Sequence, residues 1–210
     1  MAGILSAWTE TCLVSIEPEG YGALLFQAMT ETIDPDFGEK GVEYVPILSG
    51  GRITKYLPQE DTTVTLELYP LEVGTAGWPA TGSTSTGTGV FDVMDGAVDT
   101  TNPLAVSMDH TRLPIRLSVL WTDDTSATNA AGATASTKNA IRMSWAEGFL
   151  TAVKPSFTDG ILKMTVTCKF PAYNKNNTCC SFFESTTATA GTSLTALTTY
   201  AAAGQTTLFK

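Results

Sequence analysis

A single histidine, four cysteines and 21 carboxylates are the side chains here with the chemistry of bases, nucleophiles or metal ligands. A Ser-His-Asp or Cys-His arrangement would have to use His110, and its surroundings, Met108-Asp-His-Thr-Arg112, carry no nucleophile elbow and no helical context. Cys179 and Cys180 are adjacent, which is not the spacing of a zinc knuckle, and Cys12 and Cys168 stand far from them in sequence. Three disulfide pairings exist on paper, but four cysteines are too few for a disulfide-built scaffold, so reduced thiols are expected. Asp92, Asp95 and Asp99 do not match a calcium loop, and Gly82, Gly87 and Gly89 lack the lysine and helix of a phosphate-binding loop. Paired carboxylates of the glycosidase kind stay open, because their separation in space is not in the sequence. Trp8, Trp78, Trp121 and Trp145 could form a sugar-binding platform, yet Trp121 and Trp145 fall on apolar strand faces and suit a core better. The chain reads as a non-enzyme without cofactor or metal.

The carboxylates are unevenly placed. Residues 1–74 hold 12 acids and 3 bases, while residues 75–210 hold 9 of each, so the whole net charge of −9 sits in the first third. One reading is a solvated acidic face that keeps the protein soluble; the other is an acidic wall past which a polyanion must travel without sticking. Ordinary nucleic-acid binding has the wrong sign here, since affinity for phosphates comes from Lys and Arg releasing counterions.

The elements that must position these groups are strands. Alternation marks Thr11–Glu17, Thr63–Tyr69, Leu113–Trp121, Ile141–Trp145 and Ile161–Phe170, the last with Leu162, Met164, Val166, Cys168 and Phe170 on one face. Leu24–Ile33 reads as one further strand, continuing into a long hairpin with Val42–Leu48 whose tip is Asp34–Gly41. Ser49-Gly50-Gly51-Arg52 separates Val42–Leu48 from Ile53–Leu57 as a tight turn, and Asp159-Gly160 is a hairpin signal. Pro46 and Pro58 belong near strand ends, and Gly148 suits a bulge. The expectation is an all-β chain, a β-sandwich or barrel with long loops, with at most one short helix, within 123–138. Residues 1–210 form one domain, with an N-terminal arm (1–10), insertions at 75–111 and 123–138, and a Thr/Ala-rich C-terminal arm (185–210). That arm is either a loose tail or ordered by docking on a neighbour. Thr178–Glu184 supplies a short strand. The sequence has no apolar run of membrane-spanning length, and Met1–Glu10 lacks the basic and apolar regions of a secretory signal, so neither membrane insertion nor export is expected. Asn176-Asn177-Thr178 fits a glycosylation acceptor, a triplet common by chance.

Three segments, Asp34-Pro-Asp-Phe-Gly-Glu-Lys-Gly41, Gly50-Gly-Arg-Ile-Thr-Lys-Tyr56 and Pro58-Gln-Glu-Asp-Thr-Thr-Val-Thr-Leu-Glu-Leu-Tyr-Pro70, together resemble the major tail tube proteins of tailed viruses, archaeal and bacterial. The resemblance resumes at Val119-Leu-Trp-Thr-Asp-Asp124 and Lys154-Pro-Ser-Phe-Thr-Asp-Gly160. It implies a β-sandwich subunit of the virion tail, assembled in the host cytoplasm into stacked hexameric rings around a channel for DNA. The implied partners are further copies of the chain, sheath, tail terminator and baseplate proteins, and DNA in transit. On this reading Glu31, Asp34, Asp36, Glu39, Glu43, Glu60, Asp61 and Glu67 supply the lumen-facing charge. Ile4, Leu5, Trp8, Trp78, Leu208 and Phe209 make contacts between subunits. The alternatives are a carbohydrate-binding β-sandwich module of an envelope or adhesive protein, and the tube of a genome-free contractile injection device.

Overall fold

Side chains of alternating polarity in an extended chain place one set against a core and the other in water, and that rule builds the elements of this protein. The computed structural model describes residues 11–18, 24–27, 30–69, 114–124 and 139–186, and every regular element among them is a strand. In chain order these are β1 (Thr11–Pro18), β2 (Leu24–Gln27), β3 (Thr30–Asp36), β4 (Lys40–Pro46), β5 (Arg52–Gln59), β6 (Thr62–Leu68), β7 (Ile115–Thr122), β8 (Ala140–Thr158), β9 (Ile161–Phe170) and β10 (Ser181–Thr186). The expectations for the terminal arms, the two insertions and the short helix fall on residues 1–10, 70–113, 125–138 and 187–210, outside the described residues, apart from Asp123, Asp124, Ser185 and Thr186 at their margins.

Hydrogen bonding runs along one path, β2-β1-β7-β8-β9-β6-β3, with β10 beside the first part of β8 and all pairs antiparallel. The length of β8 makes this possible. Residues 140–148 pair with β7, and residues 140–145 also with β10, whereas residues 149–158 pair with β9. The two halves of the path enclose one core of Val14, Ile16, Val64, Leu66, Leu68, Ile115, Leu117, Val119, Trp145, Leu150, Val166, Cys168 and Phe170. Trp145 is fully buried, with the rings of Phe37 and Phe170 each 6.2 Å away, and Trp121 packs at the edge of this core. Cys168 lies in the core as its alternation predicts.

The change of partner along β8 is made by a local distortion. Glu147 has φ 56°, and the register with β7 slips between Ile115 and Leu117, the mark of a bulge. Gly148 follows, and a Cβ there would lie 2.1 Å from Phe170 Cδ1 and 2.6 Å from the Lys169 carbonyl oxygen. The missing side chain lets the Phe170 ring close over the bend. The expected bulge at Gly148 is thus the joint between the two halves of the sheet.

Two expectations are corrected. The stretch 24–33 is not one strand: β2 joins β1, and β3 joins β6, at opposite ends of the path. Nor does it pair with 42–48, because β4 pairs with β5. The physical reason is local. Ile33 and Pro35 stand opposite Leu66 and Val64, so β3 extends the apolar face of β6 by one strand. The Gly50 turn, at φ 82°, meanwhile gives β4 a partner at minimal loop entropy. Both faces of β7 are also buried, Arg116, Ser118 and Leu120 included, where alternation alone left one face polar. Ser15, Ser118 and Ser144 line up across β1, β7 and β8, and the hydroxyls of Ser118 and Ser144 meet at 3.1 Å.

Gly148→Ala is expected to lower unfolding free energy by about 3 kcal/mol, the upper part of the overpacking range, because both obstacles are core or backbone. Gly50→Ala meets nothing within 4 Å and loses only the cost of a left-handed residue, about 1 kcal/mol. Denaturant unfolding of both variants checks the order; a larger loss at Gly50 contradicts this account of the bend.

Candidate functional site

Outside the core, three surfaces have an organisation that packing among the described residues does not explain. The first is the ribbon β4–β5. It shares no ladder with the main sheet, and its described side chains are exposed along nearly its whole length. Register divides them into two faces, Lys40, Val42, Tyr44, Arg52, Thr54 and Tyr56 on one, Glu43, Val45, Ile53, Lys55 and Leu57 on the other. Both faces carry bare apolar groups: Tyr44 is 61% and Tyr56 67% exposed on the first, Ile53 57% on the second. Two-stranded ribbons are marginal in water unless something packs on them. The root, by contrast, is pinned. Gly38, at φ 67°, abuts the carbonyls of Glu60 and Asp61. The Glu60 amide donates to the Glu39 carbonyl (3.1 Å), and the Gln59 side-chain amide donates to the Phe37 carbonyl (3.3 Å).

The second surface is the polar face of β3, β6, β9 and the later part of β8. Reading across the strands, Thr32, Glu67, Thr165 and Lys154 form one row, Asp34, Thr65, Thr167 and Ala152 the next, and Asp36, Thr63, Lys169 and Phe149 the third. Glu67 is bridged to Lys163 at 2.8 Å, and Asp61 lies 3.9 Å from Lys169. The face is therefore threonine-rich, with carboxylates on β3 and β6 opposed by lysines on β9 and β8.

The eight carboxylates singled out from sequence separate into groups. Asp34, Asp36 and Glu67 share the polar face, while Glu39, Glu60 and Asp61 sit at the root of the ribbon near Asp36. Glu43 is out on the ribbon, paired with Lys55 at 3.3 Å, away from the others. Glu31 falls in β3 at the register slip between Thr30 and Thr32. Ile4, Leu5, Trp8, Trp78, Leu208 and Phe209 lie outside the described residues, as does His110. Sequence reading missed the lysines opposite the acids, because it lacked the pairing of β9 with β6. Trp145, in the core, is unavailable as a sugar platform.

The third surface is the end of the β8–β9 hairpin, where Asp159 (φ 55°) and Gly160 (φ 79°) form the turn that their sequence predicts. Phe157, Ile161 and Leu162 are exposed there.

The thiols are placed for packing rather than reaction. Burial pushes Cys12 and Cys168 up to about 12, and burial, with Glu147 and Cys179 nearby, raises Cys180 to about 11. No cluster of three His, Cys, Asp or Glu side chains able to hold a metal occurs among the described residues. Buried polar groups here serve structure: Arg142 donates through Nε to Glu184 Oε2 at 2.7 Å and through Nη2 to the same oxygen, fixing β10 on β8. Alkylation of the native protein at pH 8 is expected to label exposed Cys179 and spare the other three, read by peptide mass mapping. Because the buried thiols stay protonated when the unfolded chain would ionise, stability falls as pH rises through the window 9 to 12.

No protein-family model matches the chain, and no curated protein matches it by sequence. Among solved structures it is similar to the sheath/tube terminator of an extracellular contractile injection system in its extended state. The identity is 13% over 87% of this chain and 99% of that one, with a TM-score of 0.47. It is also similar to the tube-terminating cap of the anti-feeding prophage, at 9% identity over 89% and 95% of the two chains and a TM-score of 0.47. A third similarity is to Hcp1 from Flavobacterium johnsoniae, at 15% identity over 75% and 89% and a TM-score of 0.29.

Proposed function

We propose that this chain is the structural subunit of a viral tail tube, polymerising into stacked hexameric rings whose bore conducts DNA during ejection. The observation that carries the reading is the β4–β5 ribbon, bare on both faces and pinned at its root. An element with apolar groups on two sides and no core of its own is stabilised when other copies cover it. The three motif segments that resemble tail tube proteins support the same reading, since they take in the root of this ribbon, most of its strand β5 and the adjoining strand β6. Ile4, Leu5, Trp8, Trp78, Leu208 and Phe209 would add contacts between copies. Sheath, terminator and baseplate proteins would meet the tube in a tail that assembles in the host cytoplasm.

The bore lining is assigned to the polar face, with Asp34, Asp36 and Glu67 and, at its end, Asp61; Glu31, Glu39 and Glu60 would border it. Glu43, paired on the ribbon, contributes to contacts rather than to the wall. A conduit must not hold its cargo, because each lysine–phosphate contact repeated over many rings would brake the DNA. Here Glu67 holds Lys163, Asp61 stands 3.9 Å from Lys169, and the threonines between them are neutral, with Lys154 at the end of one row as a further cation. Screening limits any residual field to about 8 Å at physiological salt, so such a wall is non-adhesive and supplies no driving force.

Negative-stain microscopy of the purified protein is expected to show rings or hollow filaments, and Tyr44→Asp with Ile53→Asp is expected to give a folded protein that forms neither. Monodisperse single domains at high concentration, unchanged by those substitutions, would contradict the assembly role. In assembled tubes, Asp34→Lys with Glu67→Lys is expected to retain DNA in a salt-sensitive way; unimpaired DNA passage would count against the lining.

A further inference from the structure

The apolar face of β8 and β9 does not stop where the core stops. Cross-strand pairs on that face run from Val153 with Val166, through Pro155 with Met164, to Phe157 with Leu162. Met164 is buried, yet Leu162 one pair further is 38% exposed and Phe157 73%. Ile161, on the opposite face, is also exposed, and the turn bears one charged side chain, Asp159. The apolar stripe of the hairpin thus continues past the core.

At the other end of β9 the surface is concave. A cleft of about 490 Å³ lies between the root of the ribbon and the segment after Phe170, lined by Lys40, Tyr56, Pro58, Asp61, Pro171 and Tyr173 among others. Its walls are aromatic and prolyl, with Tyr56 and Tyr173 each more than half exposed, and Lys40 Nζ lies over the Tyr56 ring at 5.4 Å. A volume of this size suits an apolar side chain with its neighbours.

The two features stand at opposite ends of the same strand. β9 runs from Ile161 at the protruding turn to Phe170 beside the cleft, ten residues or about 30 Å of extended chain. Protrusion and recess at opposite poles make a heterologous contact that does not close on itself when copies follow one another along that direction. We infer that the β8–β9 turn of one copy seats in the ribbon-root cleft of the next, Phe157 and Leu162 against Tyr56, Pro58 and Tyr173, with Asp159 facing Lys40. The occupant is a second copy of this chain because an apolar finger ending in a carboxylate and a cleft of aromatic and prolyl walls, with Lys40 on one side and Asp61 on the other, are both present on it. The inference rests on the tube reading in taking the direction of β9 as the direction in which layers stack.

Two variants test it, Phe157→Asp in the finger and Tyr173→Asp in the socket. Both positions are exposed, and circular dichroism and thermal melting verify that each variant folds. Each alone is expected to lose filaments, by microscopy and sedimentation. Mixed together, the intact socket of the first takes the intact finger of the second, giving stacks one junction long and no filaments. Filaments from either variant alone, or a mixture that behaves as its components do, would overturn the pairing. A photo-crosslinker replacing Phe157 is expected to join residues 56–61 or 171–173 of another copy in wild-type-like filaments; adducts elsewhere refute the socket. If the unmodified chain forms no assembly at all, the tube reading itself fails and the pairing falls with it, an outcome distinct from filaments with other contacts.

Discussion

Everything in this fold hangs on the approach of Phe170 to the bare backbone of Gly148. At that point a single strand leaves one set of partners, β7 and β10, and takes another, β9, so that two halves of a continuous ladder can face each other. A side chain at 148 would hold the ring away and open the corner over the core. The left-handed Glu147 beside it supplies the turn of the backbone, and its carboxylate accepts from the Asn174 side-chain amide at 3.1 Å, tying the corner to the segment that leads to β10. A left-handed residue and a close contact coincide where the topology needs a change of direction; the other register slips, at Thr30/Thr32, Lys40/Val42 and Leu150/Ala152, leave the strand partners unchanged.

With the core closed by that corner, the surfaces divide by curvature and chemistry. The ribbon and the β8–β9 turn extend past the core and carry exposed apolar groups, while the face between them is hydroxyl-rich with Glu67 paired to Lys163 across strands. Projections are where burial against other molecules can occur without disturbing the packing within one chain. A matched, hydroxylated face offers little to hold a charged polymer. These assignments follow from where apolar area is left in water and where opposite charges already satisfy one another.

Much of the strand pattern was legible in the sequence because it is written in alternation. Thr63–Tyr69 and Ile161–Phe170 needed no structure to be recognised, and Gly50 and Asp159-Gly160 announced their turns through residues that tolerate positive φ. What alternation does not hold is which strand lies beside which. The stretch 24–33 was mistaken for one strand because no glycine or proline interrupts it, and only the separate demands of β1 and β6 for partners divide it. The doubly buried β7 is hidden by Arg116 and Ser118, buried polar residues, the second within a serine row, that mimic an exposed face. The candidate acids were visible as a concentration in the first third. The lysines that answer them come from β8 and β9, a hundred residues further on, and only strand order brings the two sets together.

For the proposed assembly, the exposed ribbon also matters before any copy has joined another. Before it meets its neighbours, a single chain exposes tyrosines, valines and isoleucine on an unpaired two-stranded edge, the kind of template on which strands aggregate. Its net charge of −9 opposes that, since like-charged copies repel at distances where apolar contact has no reach. Short-range attraction behind a long-range barrier favours slow nucleation and fast growth, so in the proposed assembly free copies would remain dispersed until a template holds the first of them in place, and added salt would lower the barrier.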